Sequence, residues 1–252
     1  MNSEPSVSPL SPIQAKQPTV LVYGMSHTVA LANALSDEER TRFEVVQVQG
    51  NSAKEGADLL APVRDQLQDR SPDWVVFLIG GNAHNTLSLF EHEQPFGLAG
   101  ISSPQAAGRD RNFIPISVLR SLFRQKSETM SDLAGQVLAQ YPSAGRIFLS
   151  PPPPVSSEAA QADRKGSAFA GIDTEIGEPA LRRFVFEIFQ DSYRAVAKRL
   201  GGRFVDIPAS ACDCDHLLAT RYCRGLTHGN VLYGRLVLDQ LADILAGTDH
   251  DR

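Results

Sequence analysis

The chain has 252 residues and is 42% hydrophobic, enough for one sizeable core and compatible in length with one or two domains. Its 24 Lys and Arg against 29 Asp and Glu give a net charge of -5 with both signs interspersed, so no basic block or arm points to nucleic acid. No window approaches the apolar length of a membrane span. The three cysteines, Cys212, Cys214 and Cys223, fall in one short region. An odd, clustered set is a poor disulfide scaffold and suggests a reducing, cytoplasmic setting.

Residues 1–18 carry an acidic residue and three prolines before Pro18, without the basic and apolar runs of a secretory signal; they read as a flexible tail. The first strand is expected over 19–23, a continuous β-branched run of the kind buried on both faces of a sheet. A helix is expected over 28–39, a second strand over 43–49 ending at Gly50, and a second helix near 56–69, broken or kinked at Pro62. The run DWVVFLIGG predicts a third strand over 74–79. Residues 101–112 read as loop and 115–140 as mostly helical.

A fourth strand, 145–150, is stopped by four prolines, Pro151 to Pro154, which can neither continue a ladder nor start a helix and form a stiff wall at the strand end. The polar stretch 156–171 reads as flexible. Leu181, Val185, Ile188, Val196 and Leu200 recur at helical spacing over 178–200, and Gly201-Gly202 ends that helix. RFVDI is a short fifth strand, and the last helix runs over 230–246. Strands alternating with helices predict an α/β domain over 19–248, with a mostly parallel five-stranded sheet. In such sheets chemistry collects at the carboxyl ends of strands.

Those ends carry Gly24-Met25-Ser26-His27 after the first strand, Gly50-Asn51-Ser52 after the second and Gly80-Gly81-Asn82-Ala83-His84-Asn85 after the third. His228 directly precedes the last helix. Ser26 has a plain reading as a helix cap. The sharper reading joins it to His228: a serine hydroxyl needs a base to take its proton, and a neutral histidine can take it and return it to a leaving group. The Asn82 amide and the N–H groups of Ser26 and Gly50 are natural donors to an oxyanion. His27, His84 and Asn85 are expected to line the pocket or brace its loops. Cys212-Asp213-Cys214-Asp215-His216 lacks the familiar spacing of a structural zinc site, and no phosphate-binding glycine loop is present, so no metal or cofactor is expected.

This set resembles the SGNH hydrolases, the GDSL-like esterases and lipases. Tyr23-Gly24-Met25-Ser26-His27 sits where that family has its nucleophile, Gly50 stands for its oxyanion glycine, Gly80-Gly81-Asn82 for its glycine-x-asparagine element, and His228 in Thr227-His228-Gly229-Asn230 for its base. The resemblance implies a three-layer α/β/α, flavodoxin-like fold and a serine hydrolase without a cofactor. Its substrate would be an ester, a small molecule or an O-acyl or O-acetyl group on a carbohydrate. Acyl transfer through the same intermediate, or a weakly active binding protein, are its alternatives. Two positions depart from the family. Met25 replaces the aspartate of GDS, and Gly225 stands where an aspartate usually orients the histidine, leaving Asp213 and Asp215 as candidate substitutes for that acid.

Overall fold

The computed structural model describes residues 17–48, 70–94, 96–98, 112–164 and 175–247. Most of the expected N-terminal tail, Gly50, the helix expected near 56–69 and most of the loop expected over 101–112 lie outside the described residues.

The strands are β1 (Val20–Gly24), β2 (Phe43–Gln47), β3 (Trp74–Leu78), β4 (Phe96–Leu98), β5 (Asn112–Ile114), β6 (Gly145–Leu149), β7 (Arg203–Val205), β8 (Cys223–Arg224) and β9 (His228–Gly229). Five of them form one parallel sheet in the order β2-β1-β3-β6-β7. Val22 of β1 pairs with Val45 on one side and Val76 on the other, which makes β1 a central strand. All five of its residues are buried, and that is why its sequence is a continuous apolar run rather than an alternating one. β4 with β5 and β8 with β9 form two small ribbons outside this sheet.

The helices are α1 (Thr28–Ala34), α2 (Ala83–Ser88), α3 (Ile116–Gln140), α4 (Ser157–Arg164), α5 (Pro179–Arg199) and α6 (Val231–Gly247). Successive strand residues point to opposite faces, so β1 feeds two cores. Val20 and Val22 pack with Leu31 of α1 and Val237, Leu238 and Leu241 of α6. Leu21 and Tyr23 pack with Val137 of α3 and Tyr193 and Val196 of α5. The result is a three-layer α/β/α fold. Tyr193 also serves the sheet directly: its hydroxyl donates to the Phe77 carbonyl at 3.3 Å and accepts the Ile79 N–H at 3.4 Å, where β3 leaves the ladder.

The α1–α6 contact sets the position of both helix starts. A Cβ at residue 234 would collide with the Ala30 carbonyl oxygen, so glycine there is what lets α6 lie against α1. Beyond the end of α1, Arg235 grips Glu39 with both guanidinium nitrogens, at 2.7 and 2.8 Å, and reaches the Ala34 carbonyl at 3.4 Å. Through those hydrogen bonds Arg235 holds the Glu39 carboxyl down at about 2.

Two sequence expectations need correction. The helix expected over 28–39 stops at Ala34, because Leu35 is extended and Ser36 starts a new turn. The Ser36 N–H and hydroxyl donate to Glu39 Oε2 at 2.8 and 2.9 Å, and the Glu39 N–H donates back to Ser36 Oγ at 3.3 Å, a reciprocal pair of the capping-box kind that closes the chain from 36 to 39. The stretch expected to be flexible over 156–171 contains α4. Ser156 Oγ accepts the Ala159 N–H at 3.1 Å as its cap, and Ala159 and Ala160 are buried. The proline wall is where the sequence placed it: Pro151 to Pro154 are buried, and the Pro154 carbonyl accepts the Leu218 N–H at 2.8 Å.

Two glycine-to-alanine changes separate packing from helix propensity. Gly234→Ala is expected to lower unfolding free energy by about 1–3 kcal/mol through overpacking against Ala30. Gly135→Ala in α3, where an added Cβ meets nothing within 4 Å, is expected to raise it by about 0.5–1 kcal/mol. Urea unfolding of the two variants beside the parent protein checks both signs.

Candidate active site

β1 ends in a turn with no room for a side chain at its first step. A Cβ on Gly24 would collide with the Leu78 carbonyl oxygen of neighbouring β3, and the Met25 N–H donates to that same oxygen at 3.1 Å. The chain then folds into α1, with the Thr28 hydroxyl and N–H both donating to the Met25 carbonyl, at 2.7 and 3.0 Å. The cap position of α1 is His27, not Ser26, and its side chain makes no capping bond. Ser26 is exposed, and among the described residues its N–H has no backbone acceptor.

The Ser26 hydroxyl is engaged elsewhere. His228 Nε2 lies 2.8 Å from Ser26 Oγ, although the residues are 202 positions apart. The tight α1–α6 packing brings them together, since each residue shortly precedes its helix at the carboxyl end of the sheet. His228 is half-buried on the β8–β9 ribbon, directly opposite Arg224. Burial first, and the Arg224 guanidinium second, hold its pKa below the ordinary histidine value. It is therefore a neutral base at pH 7.

The structure does not place Asp213 or Asp215 as the partner of the second ring nitrogen. His228 Nδ1 lies 2.9 Å from Thr227 Oγ1. Asp213 is occupied by its own loop: its Oδ1 accepts the N–H groups of Asp215 and Leu217, both at 2.9 Å, in an Asx-type turn. The neighbouring cysteines do not join this loop in a metal site. Cys212 is half-buried and Cys214 exposed, and among the described residues no group of three His, Cys, Asp or Glu is placed to hold an ion.

Behind Ser26 lies a set of buried neutral side chains. His27 is 3% exposed, its ring centroid 4.9 Å from that of His228. Its Nε2 lies 3.4 Å from the Gly81 carbonyl oxygen, in a turn that Gly81 makes with a φ of +62°. Asn85 Nδ2 approaches Asn82 Oδ1 at 3.5 Å. The Asn85 contact falls on the oxygen of Asn82 and not on its Nδ2. His84 is fully buried against Phe186 and Phe189, with ring centroids 4.9 and 5.4 Å away.

Burial drives the pKa of both His27 and His84 down to about 3, so each stays uncharged at working pH. His27 Nδ1, both ring nitrogens of His84 and Asn85 Oδ1 have no protein partner among the described residues. His27 and Asn85 therefore contact the Gly81-Asn82 turn, His84 packs against Phe186 and Phe189, and none of the three is among the residues bounding the open space beside Ser26.

The open space is a cleft of about 530 Å³, bounded by Ser26, Val29 of α1, Asp163 of α4, Arg224 and His228. The helix α4, unforeseen in the sequence, thus supplies one wall, and Thr227 is the other site residue that sequence reasoning passed over. Its adjacency to His228 was the only available signal. A second concavity of similar size, about 530 Å³, opens beside Thr19, Arg42 and Arg70 at the amino ends of β1 and β2, and holds none of these groups.

Solved structures share this fold. A protein from Streptococcus pneumonia, provisionally described as a platelet activating factor, superposes with a TM-score of 0.55 at 14% identity, covering 93% of this chain and 86% of its own. The periplasmic domain of a lipopolysaccharide acetyltransferase from Salmonella ser. Paratyphi A gives 0.51 at 12% identity, covering 93% and 85%. A protein from Bacteroides fragilis NCTC 9343, provisionally described as an acylhydrolase, gives 0.50 at 13% identity, covering 93% and 89%. No family model and no curated protein matches the chain.

The two buried histidines make folding sensitive to acid. Each has a folded pKa near 3, below the unfolded value of about 6.5, so the unfolded state binds more protons in between. Their contribution is present above pH 6.5 and is lost as pH falls. Between pH 6.5 and 4.5 each should cost about 2 kcal/mol of unfolding free energy. His84→Leu, which removes one of them, is expected to reduce that pH-dependent loss by about the same amount in urea unfolding at the two pH values.

Proposed function

We propose that this protein is a serine esterase of the SGNH, GDSL-like type. The observation that carries the reading is the 2.8 Å contact between Ser26 Oγ and the unprotonated-ready Nε2 of a histidine kept neutral by its surroundings. Ser26 attacks the acyl carbon of an ester while His228 Nε2 takes its proton. The proton passes to the departing alcohol, leaving an acyl group on Ser26. A water then gives its proton to His228 and attacks the acyl carbon, and His228 returns that proton to Ser26 Oγ as the acid leaves.

The negative charge of each tetrahedral intermediate falls to Asn82 Nδ2 and the Ser26 N–H, with the Gly50 N–H as a third donor in this reading. Donors fixed before the reaction need no reorganisation when the charge appears. The contact from Asn85 Nδ2 to Asn82 Oδ1 supports that preorganisation at Asn82. The substrate class is a small or carbohydrate-borne acyl ester, acetyl being the simplest case. The acyl chemistry named for the Bacteroides and Salmonella proteins of like fold agrees with it.

The likeness to the Salmonella acetyltransferase domain favours one second reading, in which an alcohol rather than water takes the acyl group. The first half of the reaction is the same in both.

Hydrolysis of p-nitrophenyl acetate tests the reading. Turnover is expected in the parent protein and none in Ser26→Ala, while Asn82→Ala should lower kcat by about 10²–10³. A Ser26→Ala variant with the parent rate would refute it. Transfer would be recognised by an added alcohol that accelerates p-nitrophenolate release and becomes acetylated.

A further inference from the structure

We propose that the Thr227 hydroxyl is the group that positions His228, in the role a carboxylate holds in an ordinary serine–histidine–acid site. The proposal rests on the reading of His228 as the base. Both ring nitrogens have one protein partner: Nε2 has Ser26 Oγ at 2.8 Å and Nδ1 has Thr227 Oγ1 at 2.9 Å. Asp213 is committed to its own loop, and among the described residues the charged side chain that shifts His228 is a cation, Arg224.

The hairpin shows why the partner comes from position 227. β8 and β9 pair Cys223 with Gly229 and Arg224 with His228, leaving a loop of three residues. Gly225 takes the left-handed conformation, with a φ of +61°, and an added Cβ there would meet nothing within 4 Å. A side chain at 225 would thus project into open space. Leu226 is 3% exposed and anchors the loop in the core. Thr227 is the remaining loop residue, and its hydroxyl turns onto the ring that follows it.

A hydroxyl differs from a carboxylate in two ways. It can donate as well as accept, whereas an ionised carboxylate only accepts. If Thr227 donated to Nδ1, the ring proton would sit on Nε2 and His228 could not take the serine proton. The working arrangement has Nδ1–H donating to Thr227 Oγ1 and the Ser26 hydroxyl donating to Nε2. A hydroxyl also brings no negative charge, so it fixes direction and tautomer but gives little stabilisation to the imidazolium formed during attack. In a serine protease, loss of the correct tautomer on replacing the acid costs about 10⁴ in kcat. A neutral partner sets a smaller stake.

Nitrogen-15 NMR of the full protein at pH 7, with His228→Ala assigning the signal, reads the tautomer, and p-nitrophenyl acetate reads turnover. In the parent protein the proton is expected on Nδ1. Thr227→Val should mix the tautomers and lower kcat roughly 10- to 100-fold with KM little changed, and Thr227→Ser should restore both. A proton on Nε2 in the parent protein, or a Thr227→Val variant that keeps both tautomer and rate, would overturn the proposal. An Nδ1 proton that is lost in Thr227→Val would support the positioning role even if the parent protein hydrolysed no ester, in which case the esterase reading alone would fail.

Discussion

The contact on which the site depends is the close approach of α6 to α1, possible because residue 234 has no side chain to meet the Ala30 carbonyl. Ser26 lies two residues before α1 and His228 three before α6. Fixing the two helices side by side therefore fixes the two chemical groups. At the far end of α1, Arg235 ties α6 to Glu39 and to the Ala34 carbonyl. Arg235 and Glu39 are partly exposed, so this ion pair adds direction more than stability. The apolar layer between sheet and helices, from Leu31 to Leu241, supplies the larger share.

The second constraint is electrical. The region behind Ser26 contains two buried histidines and a buried asparagine, with four side-chain atoms that no group among the described residues satisfies. Each such atom costs on the order of 1–3 kcal/mol relative to a satisfied one. A purely structural core would hold leucine or phenylalanine at these places. The return in the esterase reading is at Asn82, whose oxygen is approached by Asn85 and whose nitrogen would be the donor. All of these groups are uncharged, and the cation Arg224 disfavours a second positive charge on His228. In the proposed esterase these surroundings would keep the base neutral at rest and meet negative charge with dipoles rather than ions.

Much of the framework was legible in the chain. The apolar runs at β1 and β3 have no polar residue to alternate with, which marks strands buried on both faces, and the glycines after them mark where the backbone turns sharply. The pairing of Ser26 with His228 followed from their order along an alternating α/β chain. What escaped had weaker or competing signals. The sequence around α4 looked polar because only Ala159 and Ala160 of its inner face are apolar and small. Asp213 looked like a spare acid, yet an aspartate has an equally ordinary use in capping its own turn, and that local use won. Thr227 is invisible to motif reasoning, since only the three-residue hairpin loop shows that its hydroxyl meets the ring next to it.

A covalent label is the most direct test of the central claim that Ser26 is a nucleophile activated by His228. After incubation with a fluorophosphonate, intact mass and peptide mapping should show one adduct per chain, on Ser26, with labelling much slowed in His228→Ala. Protein that stays unlabelled at high reagent concentration, or that carries the adduct on another residue, would contradict the account.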